Sequence, residues 1–209
     1  MKNKNNKFFV CIVRLFMYLH EFLHCRFNIN IKGVGFFYGF LNNEDYFRFG
    51  DKHLFYNPIV RGSYARLING KFNEPETHIF LRNILNRLSG HIFTFIEIGG
   101  NVGEFLIDFG GEKQIDKFYV FEPQPECISA LNKTVIKNNF KNVSIVPKAA
   151  YDSDGYVSFE KTESFSSSHI DVNGNSEFKV ETVAIDSLNI APENLIMLLD
   201  AEGAELKIM

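Results

Sequence analysis

From residue 91 onward the apolar positions alternate between short continuous runs and stripes of helical spacing. Ile92 to Ile98 is a nearly unbroken apolar run, the pattern of a strand buried on both faces. A glycine turn follows, then a helix through Glu104–Phe109, closed by Gly110-Gly111. Phe118 to Phe121 reads as a second strand. Pro125 suits the first turn of the next helix, whose inner face is expected to be Ile128, Leu131 and Val135. Val143 to Val146 is a third strand, and Leu195 to Leu199 is a further apolar strand ending on Asp200. Strand and helix in alternation indicate a parallel sheet and an α/β fold with helices on both faces.

The regions around this core are less regular. Residues 31–73 are rich in Gly, Phe, Tyr and Asn and read as short strands and turns. Glu74-Pro75-Glu76 opens a helix with an expected apolar face of Ile79, Phe80, Leu81, Ile84, Leu85 and Leu88, ended by Gly90. Tyr156–Glu160 and Phe178–Val183 read as two more strands, separated by the serine-rich stretch 164–168 and Asn173-Gly174. The chain therefore divides into an N-terminal extension, 1–73, and an α/β domain, 74–209.

Phe8 to Leu23 is an apolar run preceded by Lys2, Lys4 and Lys7. Arg14 interrupts the run, and on a helical wheel it shares one side with His20, Glu21 and His24, so the segment reads as an amphipathic helix with a narrow polar stripe. It is too short and too interrupted to span a membrane, and no small-residue cleavage site follows it. Two placements fit: a helix packed on the domain, which is the simpler, or a helix lying on a membrane surface.

Composition narrows the function. In 209 residues, 45% hydrophobic and 22% charged is an ordinary globular balance. The 23 Phe residues read as compositional bias. A formal net charge of −3 argues against nucleic acid as a partner. Cys11, Cys25 and Cys127 are far apart and form no CxxC pair, so neither a metal site nor a disulfide framework is expected. A reducing, cytoplasmic location follows, with residues 8–24 leaving open a peripheral position on the inner face of a membrane.

Three motifs carry chemistry. Glu97-Ile98-Gly99-Gly100-Asn101-Val102-Gly103 lies at the end of the first core strand, where glycines let the backbone turn sharply and approach a ligand. A dinucleotide GxGxxG aligned from Gly99 would put its third glycine at Glu104, an anion where a pyrophosphate should meet a helix N-terminus. S-adenosylmethionine has no phosphate and carries an ammonium, so Glu97 and Glu104 favour that methyl donor over NAD. Glu122, in Phe121-Glu122-Pro123-Gln124-Pro125, follows Gly103 by nineteen residues at the end of the second strand. A carboxylate there suits ribose hydroxyls, or simply the start of a helix. Asp200-Ala201-Glu202-Gly203-Ala204-Glu205 follows a buried strand and so shares the carboxyl-end rim where open parallel sheets bind ligands; a capped helix start is its plainer reading.

Together, in this order, these motifs resemble the FkbM-type methyltransferase family, whose wording is D-I-G-A-N-x-G, F-E-P-x-P and K-I-D-x-E-G-A-E. Ala150 to Gly155 and Ala184-Ile185-Asp186-Ser187-Leu188 are similar to two further stretches of that family. Glu97 stands for the usual Asp, Gly100 for Ala, and Leu198 for a frequent Lys. The resemblance covers roughly residues 74–209. It implies a Rossmann-like class I methyltransferase fold with strand order 3-2-1-4-5-7-6, of which this chain supplies the first four strands and lacks the C-terminal ones.

It also implies S-adenosylmethionine held by Glu97, Gly99, Asn101, Gly103 and Glu122, and methyl transfer to a hydroxyl of a sugar, glycan or related small molecule. Asp200 and Glu202 are the candidate groups for acceptor positioning or proton removal. His169 is a third, on a loop able to reach over the site, or else an ordinary loop histidine. Gly99→Val is expected to block the ligand while sparing much of the fold, and Gly103→Val to lower stability as well. An edge strand as apolar as Leu195–Leu199 is expected to self-associate. Two other classes stay open: a nucleotide-dependent dehydrogenase, and a non-catalytic or inactive truncated remnant.

Overall fold

A computed structural model describes residues 7–27, 29, 45–56, 67, 70–160, 169–171, 176–190, 192–201 and 203–209. The elements in chain order are α1 (Lys7–Phe27), β1 (Tyr46–Phe49), β2 (Lys52–Phe55), α2 (Pro75–Arg87), β3 (Phe93–Ile98), α3 (Glu104–Phe109), β4 (Ile115–Phe121), α4 (Pro125–Asn138), β5 (Val143–Val146), β6 (Ala149–Tyr151), β7 (Gly155–Glu160), β8 (His169–Ile170), β9 (Lys179–Ala184), a 3-10 turn at Ile185–Ser187, β10 (Leu195–Leu199) and α5 (Glu205–Ile208).

Four parallel strands form the central sheet in the order β10-β3-β4-β5. This is the relative order expected for the four core strands. All six residues of β3 are buried, which accounts for its apolar run. Side chains alternate between two cores. Phe93, Phe95, Phe118, Val120, Ile196 and Leu198 face α2, α3 and α4, whose Leu81, Leu85, Leu106, Phe109 and Leu131 complete the first core. Ile96, Ile98, Phe121, Met197 and Leu199 face the opposite side.

Helices on both faces were expected, and the second face differs. It is covered by Ala150 of β6, Val183 of β9, the segment Ile185–Ile190 and Ile208 of α5. β6 and β9 belong to a second, mixed sheet of order β6-β9-β7-β8. Lys179–Ala184 alternates in burial over its first four residues, the spacing of a one-sided strand, and no helical stripe separates β5 from β10 in the sequence.

The helix faces also differ in detail. On α2 the buried residues are His78, Leu81 and Leu85, while Ile79, Phe80 and Leu88 are exposed. On α4 the buried face is Cys127, Ala130, Leu131 and Thr134, with Ile128 and Val135 only half-buried. Pro125 opens α4, and Asn139 closes it in the left-handed conformation at φ 57°. Thr134 and Asn138 on α4 then tie down the β1–β2 hairpin. The Phe55 N–H donates to Thr134 Oγ1 (2.9 Å), and Asn138 exchanges hydrogen bonds with the backbone of His53 at 2.7 and 2.8 Å. Phe47, Leu54, Tyr56 and Leu67 are buried in the same core as Phe95 and Leu131.

The N-terminal helix forms as expected; among its described apolar side chains Phe16 and Leu23 are half-buried. Leu15, Tyr18 and Phe22 are 60–70% exposed. No helix among the described residues is long and apolar enough to cross a membrane.

A carboxylate-lined pocket at the carboxyl ends of the strands

The loop between β3 and α3 is built by backbone contacts. Gly99 and Gly100 both donate their N–H groups to the Phe121 carbonyl (3.0 and 3.1 Å), and the Asp200 N–H donates to the Ile98 carbonyl (3.0 Å). The ends of β3, β4 and β10 are thereby fastened into one rim. Gly99 has φ 81°, and a Cβ there would lie 1.9 Å from the Asp200 carbonyl oxygen. Gly103 has φ 91°, with room for a Cβ only if the Leu131 and Leu106 side chains give way. The expectation that Gly99→Val would spare much of the fold is therefore corrected: the neighbouring strand end requires glycine here.

Glu122 reaches back across the rim. Its two oxygens accept the N–H of Asn101 and the N–H of Gln124, each at 2.8 Å. Asn101 holds the left-handed conformation, φ 45°, one that Asn tolerates better than most residues. Burial pushes the Glu122 pKa up to about 7, against the two backbone N–H bonds that pull it down. Glu122 thus fixes the shape of the glycine loop, with further lone pairs left on each oxygen.

Glu97 is buried in the last turn of β3. One of its oxygens, Oε2, has no hydrogen-bond partner, and the Phe105 N–H bonds the carboxylate at the start of α3. Burial first, then the charges of Glu104, Glu122 and Asp200, push its pKa well above the ordinary range; the Phe105 N–H offsets part of this. These residues line a cavity of about 360 Å³. Its floor is Glu97 to Val102, and its walls include Leu67, Asn73, Phe105, Glu122, Gln124 and Asp200. Ala150, Phe159 and Ile170 of the second sheet close another side. The upper wall is held by Glu104, whose carboxylate accepts the Asn73 N–H and the Asn73 Nδ2 (2.7 Å for the latter).

Behind that wall lies a buried polar cluster that apolar periodicity does not reveal. His78 stacks between Phe72 and Phe105, with ring centroids 3.8 and 4.2 Å away and planes 6° apart. Its Nδ1 is 2.7 Å from Asp108 Oδ2, and its Nε2 is 3.6 Å from Glu104 Oε1. Arg82 closes on the other oxygen of Asp108. Burial alone would lower the His78 pKa, but Asp108 and Glu104 outweigh it and hold it above 6.5. The available signal was spacing: His78, Leu81 and Leu85 stand at i, i+3 and i+7, so His78 shares the buried stripe.

The structure brings together at this pocket Glu97, Gly99, Asn101, Glu122 and Asp200; Gly103 lies just behind, at the entry to α3. Glu202 lies outside the described residues. His169 is on a strand, β8, rather than on a loop. Ile170 faces the pocket, while the His169 Nε2 lies 3.7 Å from Glu160 Oε2. The turn after β10 is capped by Glu205, whose oxygens accept the N–H groups of Ala201 and Gly203 at 3.0–3.2 Å.

No family model and no curated protein sequence matches the chain. A solved structure of methyltransferase FkbM from Methylobacillus flagellatus KT is similar to it, with a TM-score of 0.41 and 16% identity, covering 55% of this chain and 27% of that one.

Proposed function

We propose that the pocket binds S-adenosylmethionine and that the chain acts in methyl transfer to a hydroxyl of a sugar, glycan or related small molecule, on a Rossmann-like class I methyltransferase core of FkbM type. The observation that carries this reading is Glu97. A buried carboxyl group with one oxygen unpaired, at a cavity also lined by Glu104, Glu122 and Asp200, is left ready for a cationic hydrogen-bond donor that would favour its charged form. The methionyl ammonium is such a donor. An acidic lining disfavours a pyrophosphate, which weighs against a nucleotide-dependent dehydrogenase.

Glu97 would hold the ammonium, the loop from Gly99 to Gly103 the methionyl part, and the remaining lone pairs of Glu122 the ribose hydroxyls. When bound, the cofactor supplies a methyl group on a positively charged sulfur that leaves readily. The chain's own part is alignment and dryness. Asn101 and Glu122 fix the loop, and Phe105, Phe159 and Ile170 give the cavity apolar walls. Asp200 is exposed on the rim, where it suits an acceptor hydroxyl as hydrogen-bond acceptor or proton acceptor. Incubation with S-adenosylmethionine carrying a labelled methyl group, against a panel of sugars and glycolipids, tests the reading. Label on an acceptor oxygen, reduced in Asp200→Asn, supports it. Absence of transfer from a chain that binds the cofactor favours a non-catalytic binding role.

A further inference from the structure

Apart from Phe27 at its end, the described side chains of α1 fall by exposure into two sectors, the exposed one also carrying Cys11 and Arg26. Ile12, Leu15, Tyr18, Leu19 and Phe22 are 48–70% exposed and recur at three- and four-residue spacing, so they form one continuous apolar face. Phe16, His20 and Leu23 flank it and are half-buried. An apolar helix face left in water needs a partner.

We infer that α1 docks this face onto an anionic lipid bilayer. Charge selects that occupant. Residues 1–27 carry Lys2, Lys4, Lys7, Arg14 and Arg26 against a single acid, Glu21, while the chain as a whole has an acidic excess. The attraction to anionic headgroups is therefore confined to the segment that also bears the apolar face. Basic residues near such a surface add to burial of the apolar side chains beneath the headgroups. The same charges disfavour a second copy of the helix. Both ends are basic, so parallel and antiparallel pairing each bring like charges together. Tyr18 and Phe22 are the side-chain types that settle at a bilayer interface. The helix would lie in the interface plane and leave the pocket-bearing domain in water.

The chain contains no tryptophan, so Tyr18→Trp provides a single fluorescent probe on the docking face. Vesicles of phosphatidylcholine with phosphatidylserine should blue-shift its emission and co-sediment the full chain, and phosphatidylcholine alone should do neither. Replacing Lys2, Lys4 and Lys7 with glutamine should weaken binding on the order of a hundredfold at low salt. Leu15→Glu with Phe22→Glu should abolish it while the thermal melt of the domain stays unchanged. Binding equal on both vesicle types, or unaffected by the double glutamate variant, would overturn the inference. So would a dimer in sedimentation equilibrium that this variant dissolves, without vesicle binding by the parent chain, which would assign the face to a second copy.

Discussion

Gly99 and Asp200 meet backbone to backbone: the Asp200 carbonyl oxygen fills the space, 1.9 Å away, that any Cβ on Gly99 would need. Because neither group can rotate aside, Gly99→Ala must either part β3 from β10 or distort the loop. Left-handed strain costs about 1–3 kcal/mol and overpacking adds a similar amount. Gly103→Ala meets the movable Cδ2 atoms of Leu131 and Leu106 and, at 3.2 Å, the Leu106 Cβ, so it should lose about 1–3 kcal/mol, mainly through strain. Urea titrations of the two variants should show the larger loss at Gly99. Equal losses would mean that the strand ends have more freedom than this contact allows.

Glu97 and Glu122 both have pKa values raised by burial, so the folded chain holds protons that the unfolded chain has released. Their favourable contribution is complete below the ordinary carboxylate value of 4.5. It is lost as pH rises, through about 7 for Glu122. Stability should fall across that window by about 3 kcal/mol for Glu122 alone. Glu122→Gln removes the charge and should flatten the fall in melting temperature between pH 5 and about 8. A variant with the same pH slope as the parent would show that Glu122 is not the group responsible.

His78 works in the opposite chemical sense with the same sign. Its pKa lies above 6.5 because Asp108 and Glu104 favour the charged ring. The ion pairs stabilise fully below 6.5 and fade as pH rises through the raised value. His78→Ala also empties the slot between Phe72 and Phe105 and leaves Asp108 paired with Arg82 alone. A loss of about 3–5 kcal/mol is expected, larger at pH 6 than at pH 8.5. Chemical denaturation at both pH values measures the difference, and a pH-independent loss would leave packing as the whole contribution.

Much of this was legible in the chain itself. Runs such as Ile92–Ile98 and Leu195–Leu199 announce strands because a parallel sheet must be apolar on both faces, whereas the strand order came from the family resemblance that the motifs carry. The motif residues Glu97, Gly99, Asn101 and Glu122 were visible because each ends a strand or makes a turn. His78 and Asp108, closed from outside by Arg82, were hidden, since a buried polar pair leaves no mark in an apolar pattern until the helices holding it are packed. Two strands of the second sheet, at 156–160 and 178–183, were legible as strands, but that they replace a helical layer on the second face was not, because their pairing joins distant segments. The Gly99 contact joins residues a hundred positions apart, and no local pattern records it.

Glu97 is also the residue through which a ligand's charge should be felt. Glu97→Gln keeps shape and burial but replaces the carboxylate facing the ligand. It should weaken S-adenosylhomocysteine by about 10–100-fold, the size of one charge-assisted hydrogen bond, and leave the melting temperature equal or higher at pH 8. Fluorescence or calorimetric titration beside a melt separates the two effects. Unchanged affinity would move the ammonium to another carboxylate of the rim.

The central claim is that this carboxylate-lined cavity takes an ammonium-bearing nucleoside without phosphates. Isothermal titration of the chain with S-adenosylhomocysteine and, separately, with NAD at pH 8 tests it most directly. The account predicts saturable one-site binding of S-adenosylhomocysteine, weakened in Glu122→Ala, and no heat of binding with NAD. Saturable binding of NAD, with none of S-adenosylhomocysteine, would contradict it.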